Sequence, residues 1–434
     1  MISLRLLLLV LLTLGCRELA DGNAHIAPVM ASLAALGVAL GFGLLFKASA
    51  VHVLSSGELQ LRGVCWERCG RARQQVERGW IAVLPLVLLA TGWGAALNAL
   101  EQQGLPQALA LLGWFVPSLV LIALLELTAA QIDEFLHEGT NSASSATDVS
   151  AAGVSAAAAG GAGQSWRSEW LLRLRLGDMA SLVTCIAPVL VIAALTDVVR
   201  GLAYDVWATR LIVVATIVAL VSVVLFLPVW LGRWMGVVSL PAGELCERLR
   251  AQMQGLGIRG VRPKLLPSRG RWPGAAIVGW FPQFRQLWLG DALIARLSPQ
   301  QLDMVIMHEL AHVKRRHYLW RISPVVWAAG VVGLFGACWP ADPAWQTVGT
   351  IASSILASVV MLFGLGAMAQ ACELDADRSA CTLARKVCPW AQVEQAAPSR
   401  ELSRALTCLL AGSAASERAT WLHPNLQQRL KNLA

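Results

Sequence analysis

Charge is scarce in this chain. Aspartate, glutamate, lysine and arginine together make up 14% of its 434 residues, where a soluble domain carries about a quarter. That scarcity, set against 56% hydrophobic residues and a mean hydropathy of +0.59, excludes the ordinary soluble classes. Several apolar runs are long enough to cross a ~30 Å hydrocarbon core, so a polytopic membrane protein is expected. Tyrosine occurs only twice, against 18 tryptophans. Trp80, Trp207, Trp230, Trp339 and Trp345 lie at or near the ends of apolar runs, where an interfacial belt would put them; simple compositional bias gives the same pattern. A disulfide framework and a paired CxxC zinc pattern are both missing from the 10 cysteines. Cys65 and Cys69 stand alone, Cys185 and Cys338 lie inside apolar runs, and free thiols are expected. A basic block is missing too. The net charge of +8 is dispersed over short loops, which argues for positive-inside topology and against a nucleic-acid partner.

What the chain does contain is a series of apolar spans. Residues 1–16 read as a signal peptide or N-terminal anchor; Gly15-Cys16 resembles a lipoprotein acylation site, with Thr13 standing where that motif prefers leucine. About three spans are expected within residues 17–138, at Ile26–Phe46, Trp80–Asn98 and Gln107–Leu127. The arginine-rich segment from Lys47 to Gly79 should be a cytoplasmic loop. Residues 139–165, rich in Ser, Ala and Gly, read as a flexible low-complexity linker. Two further spans, Leu182–Val199 and Leu211–Leu231, fall within residues 166–231. From residue 232 the texture turns mixed. GELCERLRAQMQGLGI carries helical signals, and the runs RPKLLP, AAIVGW and RQLWLG, each bounded by Pro or Gly, read as strands. Ser298 and Pro299 supply an N-cap and a first helical residue for a helix through residue 312. Two last apolar runs follow, Ser323–Trp339 and Trp345–Ala371. Counting sides from the arginine-rich loop puts the segment from 232 and residues 372–434 together on the cytoplasmic side.

Only seven histidines occur, and His308, His312 and His317 fall within ten residues of one another. His308-Glu309-Leu310-Ala311-His312 is an HExxH pattern. Residues four apart share a helix face, so both imidazoles can bind one zinc ion while the Glu309 carboxylate lies beside the metal's water. A catalytic zinc site needs a third protein ligand and an open position. A third histidine at the metzincin spacing would fall on Tyr318 and is excluded. His317, five residues beyond His312, points off the ligand face of a continued helix and reads as solvated or as a support behind a ligand. Glu373 in CELDADR is the better third ligand, with Asp377 four residues on, able to accept a hydrogen bond from a ligand imidazole. Cys372 is a softer donor that stays open, as does an ordinary helix start with solvated acids.

These segments in this order, LSPQQLDMVIMHELAHVKRRH, two apolar runs, ELDADR and WLHPNLQQRL, resemble the HtpX and CAAX-prenyl-protease family of integral-membrane zinc metallopeptidases. The likeness covers roughly residues 240–434. It implies a mainly α fold: polytopic membrane helices with a small α+β gluzincin-like zinc protease domain over residues 232–434. It implies one Zn2+ per chain held by His308, His312 and Glu373, with Glu309 as catalytic acid and base and Asp377 behind a ligand. It also points to His423 as donor to the developing oxyanion and Arg429 as holder of the substrate backbone or a carboxylate. A helix start capped around His423-Pro424 accounts for that element equally well. The family's asparagine-alanine pair, which opens a substrate-binding edge strand, has no asparagine here; the corresponding strand is Ala275, Ala276, Ile277 and Val278. The function implied is a membrane-embedded endopeptidase acting on membrane or membrane-associated proteins or peptides, in quality control, in a bacterial cytoplasmic membrane. A signal-transducing protease receptor and an inactive scaffold remain as alternatives.

Overall fold

The computed structural model describes residues 4–20, 28–55, 62–144, 166–176, 206–270, 272–338, 342–410 and 420–433, with scattered residues between 179 and 198. Two compact units divide the chain, Met1–Val223 and Val224–Ala434.

The first unit is helical: α1 Leu4–Leu19, α2 Pro28–Ser55, α3 Arg62–Ala90, α4 Trp93–Gln102, α5 Gln107–Ser144 and α6 Trp166–Leu176, with α7, Val206–Trp234, running across the boundary between the units. In hydrocarbon every backbone group must be satisfied within its own segment, which leaves helices as the form these apolar runs can take. Among the described residues four helical segments are long and apolar enough to cross a membrane: Val29–Ser55, Gln107–Asp133, His317–Cys338 and Val348–Val387.

Two expectations need correction. The span read over Trp80–Asn98 is broken: α3 and α4 meet at 49°, with Gly92 between them at φ 76°, a left-handed conformation that suits glycine. The segment read as a loop from Lys47 to Gly79 is largely helical, because arginine is a good helix former and its charge finds partners. Arg73 donates to Glu77 at 2.7 Å, one turn on, and to Glu126 at 2.7 Å. Glu126 is a buried acid within the α5 span, 3% exposed. Trp80, Trp114, Phe46 and Phe115 belong to the core of this unit, and the Trp80 indole donates to Ser118 at 3.1 Å. α5 extends to Ser144, into the segment read as a linker; residues 145–165 and much of Leu182–Val199 lie outside the described residues. The expected acylation site sits within α1, where Cys16 is buried.

The second unit holds a four-stranded sheet of β1 Val238–Ser239, β2 Arg262–Leu266, β3 Ala275–Val278 and β4 Gln286–Gly290, in the order β1-β2-β4-β3. β2 and β4 are parallel, and β3 pairs antiparallel with β4, Ile277 opposite Leu287. β3 is therefore an edge strand. Helix α8, Glu244–Gly255, lies between β1 and β2 in sequence, and α9, Asp291–Arg296, follows β4. α10, Pro299–Lys314, starts as expected: Ser298 Oγ accepts from the Gln301 N–H at 3.3 Å while Gln301 Oε1 accepts from the Ser298 N–H at 3.2 Å. Leu302, Met304, Ile306, Met307 and Leu310 of α10 are buried, which fixes the rotation of the helix that carries the histidines. The chain turns at Arg316, φ 55°, and begins α11, His317–Cys338.

α12, Pro343–Val387, is 45 residues long. The apolar run expected to end at Ala371 continues without a break through CELDADR, so one helix carries both the last span and the acids. α13 Trp390–Val393, α14 Ala397–Leu410 and α15 Leu426–Leu433 complete the unit.

Candidate metal centre

The one-turn spacing of His308 and His312 on α10 brings their Nε2 atoms to 3.3 Å. α12 crosses that face and delivers Glu373, whose Oε2 lies 3.5 Å from His308 Nε2 and Oε1 3.4 Å from His312 Nε2. Donor atoms of these residues lie within 4.8 Å of one another, the one such cluster among the described residues. Cys372 is not part of it. Four-coordinate zinc with ligand distances of ~2.0–2.1 Å sets its donors roughly 3.3 Å apart, so the spacing suits a single ion.

The outward ring nitrogens are tied as well. His308 Nδ1 lies 2.9 Å from Asp377 Oδ1, and His312 Nδ1 lies 2.8 Å from His317 Nδ1. Each Nε2 is thereby turned toward the gap, the arrangement metal-binding imidazoles adopt. Burial holds the His312 pKa down to about 4, keeping it in the neutral form that binds metal. At His308 burial also acts to lower the pKa, but hydrogen bonds to Asp377 and Glu373 outweigh it and raise it to about 9; a bound cation competes with that proton.

Glu309 lies between this cluster and the sheet edge. Its Oε2 accepts the N–H of Ile277 at 3.2 Å, a backbone group turned away from β4. Burial pushes its carboxyl up to about 7, Glu373 adding to the rise and His308 opposing it. A carboxyl titrating there is matched to taking and returning a proton near neutral pH.

The C-terminal segment closes the site from another side. Trp421 donates to the Leu362 carbonyl of α12 at 2.9 Å, and Gln370 donates to the Thr420 carbonyl at 3.1 Å. Gly366 makes this docking possible, since a Cβ there would lie 2.6 Å from Trp421 Nε1. His423 consequently lies with Nδ1 3.2 Å from Glu373 Oε2, and its buried Nε2 has no hydrogen-bond partner. Asn425 and Gln428 cap α15 reciprocally at 2.8 and 2.9 Å. Arg429 differs from expectation. Its guanidinium grips Asp377 at 2.8 and 2.5 Å, with Nη2 3.4 Å from His308 Nδ1, and the residue is 9% exposed. The inward face of α15 directs it behind His308, onto a fully buried carboxylate that needs a cation, rather than toward a substrate.

Asp375 and Arg321 were not singled out from the sequence, and His317 takes the second of its two expected places, behind His312. His317 is buried, 4% exposed, rather than solvated. A helix continued from His312 would carry His317 off the ligand face, whereas the turn at Arg316 starts a new helix and swings His317 back onto His312. Asp375, two residues from Glu373, receives His317 Nε2 at 2.9 Å. Arg321, one turn into α11, donates to Glu373 Oε1 at 2.6 Å. Nothing in its local sequence marks it, because the contact depends on how α11 packs against α12.

Residues 242–434 match the profile of Peptidase family M48. The chain carries an M48 peptidase domain. No curated protein sequence matches the chain at a significant level. Among solved structures, the crystal structure of S. mikatae Ste24p matches with 15% identity and a TM-score of 0.47, covering 95% of this chain and 100% of that one. The M48 match over residues 242–434 makes this part of the chain a metallopeptidase domain, in a chain whose described helices include four long and apolar enough to cross a membrane. Its substrates are accordingly peptides or proteins.

Proposed function

We propose that the protein is a zinc-dependent endopeptidase whose ion is held by His308, His312 and Glu373. The observation that carries this is the convergence of those donor atoms within 4.8 Å of one another, with the Glu309 carboxyl beside them. A divalent cation bound there would acidify a water and polarise the scissile carbonyl. Glu309 takes the water's proton and returns it to the leaving amine. With its proton on the buried, unpartnered Nε2, His423 donates to the oxyanion that develops on the carbonyl. Asp377 orients His308 and is itself held by Arg429.

Substrate lies extended along β3, Ala275 to Val278. This strand is at the sheet edge, and the Ile277 N–H already meets the carboxylate of the base. Backbone pairing serves for strand addition, so the missing asparagine affects alignment more than binding. Residues 17–138 and 166–231 form the membrane region, and 232–434 the peptidase domain with its two spans. The positive-inside count supports a site on the cytoplasmic face of a bacterial membrane; membrane-protein quality control is the role proposed for it.

Metal analysis of the purified full chain, with proteomics of intact membranes comparing wild type and Glu309→Gln, tests this reading. One zinc per chain in both proteins, with membrane-protein fragments in wild type alone, is expected; a Glu309→Gln variant that still cleaves would overturn the mechanism.

A further inference from the structure

The two imidazoles of the metal centre are backed differently, and the difference assigns a role to residues that the proposed mechanism leaves out. His308 rests directly on a carboxylate, Asp377. His312 rests on another imidazole: its Nδ1 is 2.8 Å from His317 Nδ1, and His317 Nε2 is 2.9 Å from Asp375 Oδ2. Arg315 closes the chain, its Nε donating to Asp375 Oδ2 at 2.9 Å and its Nη2 approaching Oδ1 at 3.4 Å. Three elements supply these groups. His312 comes from α10, His317 is the first residue of α11, and Asp375 comes from α12.

Hydrogen-bond accounting leaves one assignment of protons along this chain. A neutral imidazole has one N–H and one lone pair. His312 uses the Nε2 lone pair toward the cluster, so its proton is on Nδ1 and must be donated to His317 Nδ1. That nitrogen accepts, so the proton of His317 is on Nε2 and is donated to Asp375, an acceptor held in place by Arg315. Every contact then has one donor and one acceptor. Reversing either ring sets two protons or two lone pairs against each other across 2.8 Å.

We propose that His317 and Asp375 are positioning residues for the metal ligand His312, fixing its tautomer and ring orientation through a histidine relay where His308 has a carboxylate. The proposal rests on the reading of His308, His312 and Glu373 as ligands. His317 is 4% exposed, and the Arg315 side chain is 58% exposed, so the relay runs from the buried site to the surface. Groups behind metal ligands typically affect metal affinity by about 10–100-fold.

The test uses the full chain in detergent, stripped of metal and titrated with Zn2+ and, separately, with Co2+, whose visible absorption reports ligand geometry. His317→Phe removes both nitrogens and should weaken Zn2+ binding about 10–100-fold and shift the Co2+ bands. His317→Gln, whose amide offers an acceptor toward His312 and a donor toward Asp375, should recover most of the affinity and the band positions. Asp375→Asn should give an intermediate loss. Melting of the metal-free proteins should be alike, which a merely structural role would not give. Wild-type affinity and spectra in His317→Phe overturn the proposal; if that variant does not fold, wild-type behaviour of Asp375→Asn overturns it. A wild-type chain that binds neither metal overturns the ligand reading itself, and this inference with it.

Discussion

Each unit of this protein buries acids, but on different terms. In the first, Glu126 is 3% exposed inside a membrane-length helix and is answered by Arg73 at 2.7 Å. In the second, Glu373 and two imidazoles turn toward one gap with Glu309 near them; Arg321 meets one oxygen of Glu373, and Asp377 stands behind with its own arginine. The second unit also contains a closed case: buried Asp303 accepts from Gln252 at 3.0 Å and from Trp390 at 3.1 Å. The distinction is therefore one of stoichiometry rather than location. A buried acid matched by its own donors stabilises packing, because unpaired charge in low dielectric is costly. An excess of inward donor atoms at roughly 3.3 Å spacing defines a site for a metal cation.

The sharpest way to break this comparison is to remove an acid from each unit. Glu373→Ala should reduce bound metal to background and abolish peptide hydrolysis, while Glu126→Ala should keep wild-type metal content; elemental analysis of both purified variants decides it. Chelation of the wild type should stop hydrolysis, and added zinc should restore it. Next in size, Asp377→Asn should weaken metal binding about 10–100-fold, read by competition with a chromogenic chelator. It should also loosen α15, since Arg429 loses an ionised partner. Glu126→Ala should cost about 1–3 kcal/mol of stability by leaving a donor of Arg73 unmet, read as a lower melting temperature in detergent. Smallest, Ser298→Ala removes one side of a capping box and should cost about 1 kcal/mol. The same variant should leave kcat/KM unchanged, since the histidines lie two turns and more along α10.

Local chemistry made much of this legible beforehand. The HExxH pattern needs only helix periodicity to be read, and Ser298-Pro299 announces its own helix start. The strands β2, β3 and β4 fall on the runs RPKLLP, AAIVGW and RQLWLG, where flanking Pro and Gly punctuate them. Apolar composition marked most spans. At Trp80–Asn98 Gly92 bends the apolar run into two helices, and from Lys47 to Gly79 arginines paired with acids sustain a helix that composition reads as a loop.

The sequence by itself determined the chemistry of the centre, because ligand types and a four-residue spacing are properties of one helix. It also supplied the length and apolarity of the membrane helices, since hydrocarbon admits little else. Only the tertiary structure decided which distant groups complete that centre. Packing of α12 across α10 brought in Glu373, docking of Trp421 beside Gly366 delivered His423, and the inward face of α15 sent Arg429 behind His308. The turn at Arg316 alone put His317 against His312. Contacts of this kind depend on the crossing of separate helices, and a helix's own sequence does not encode what crosses it.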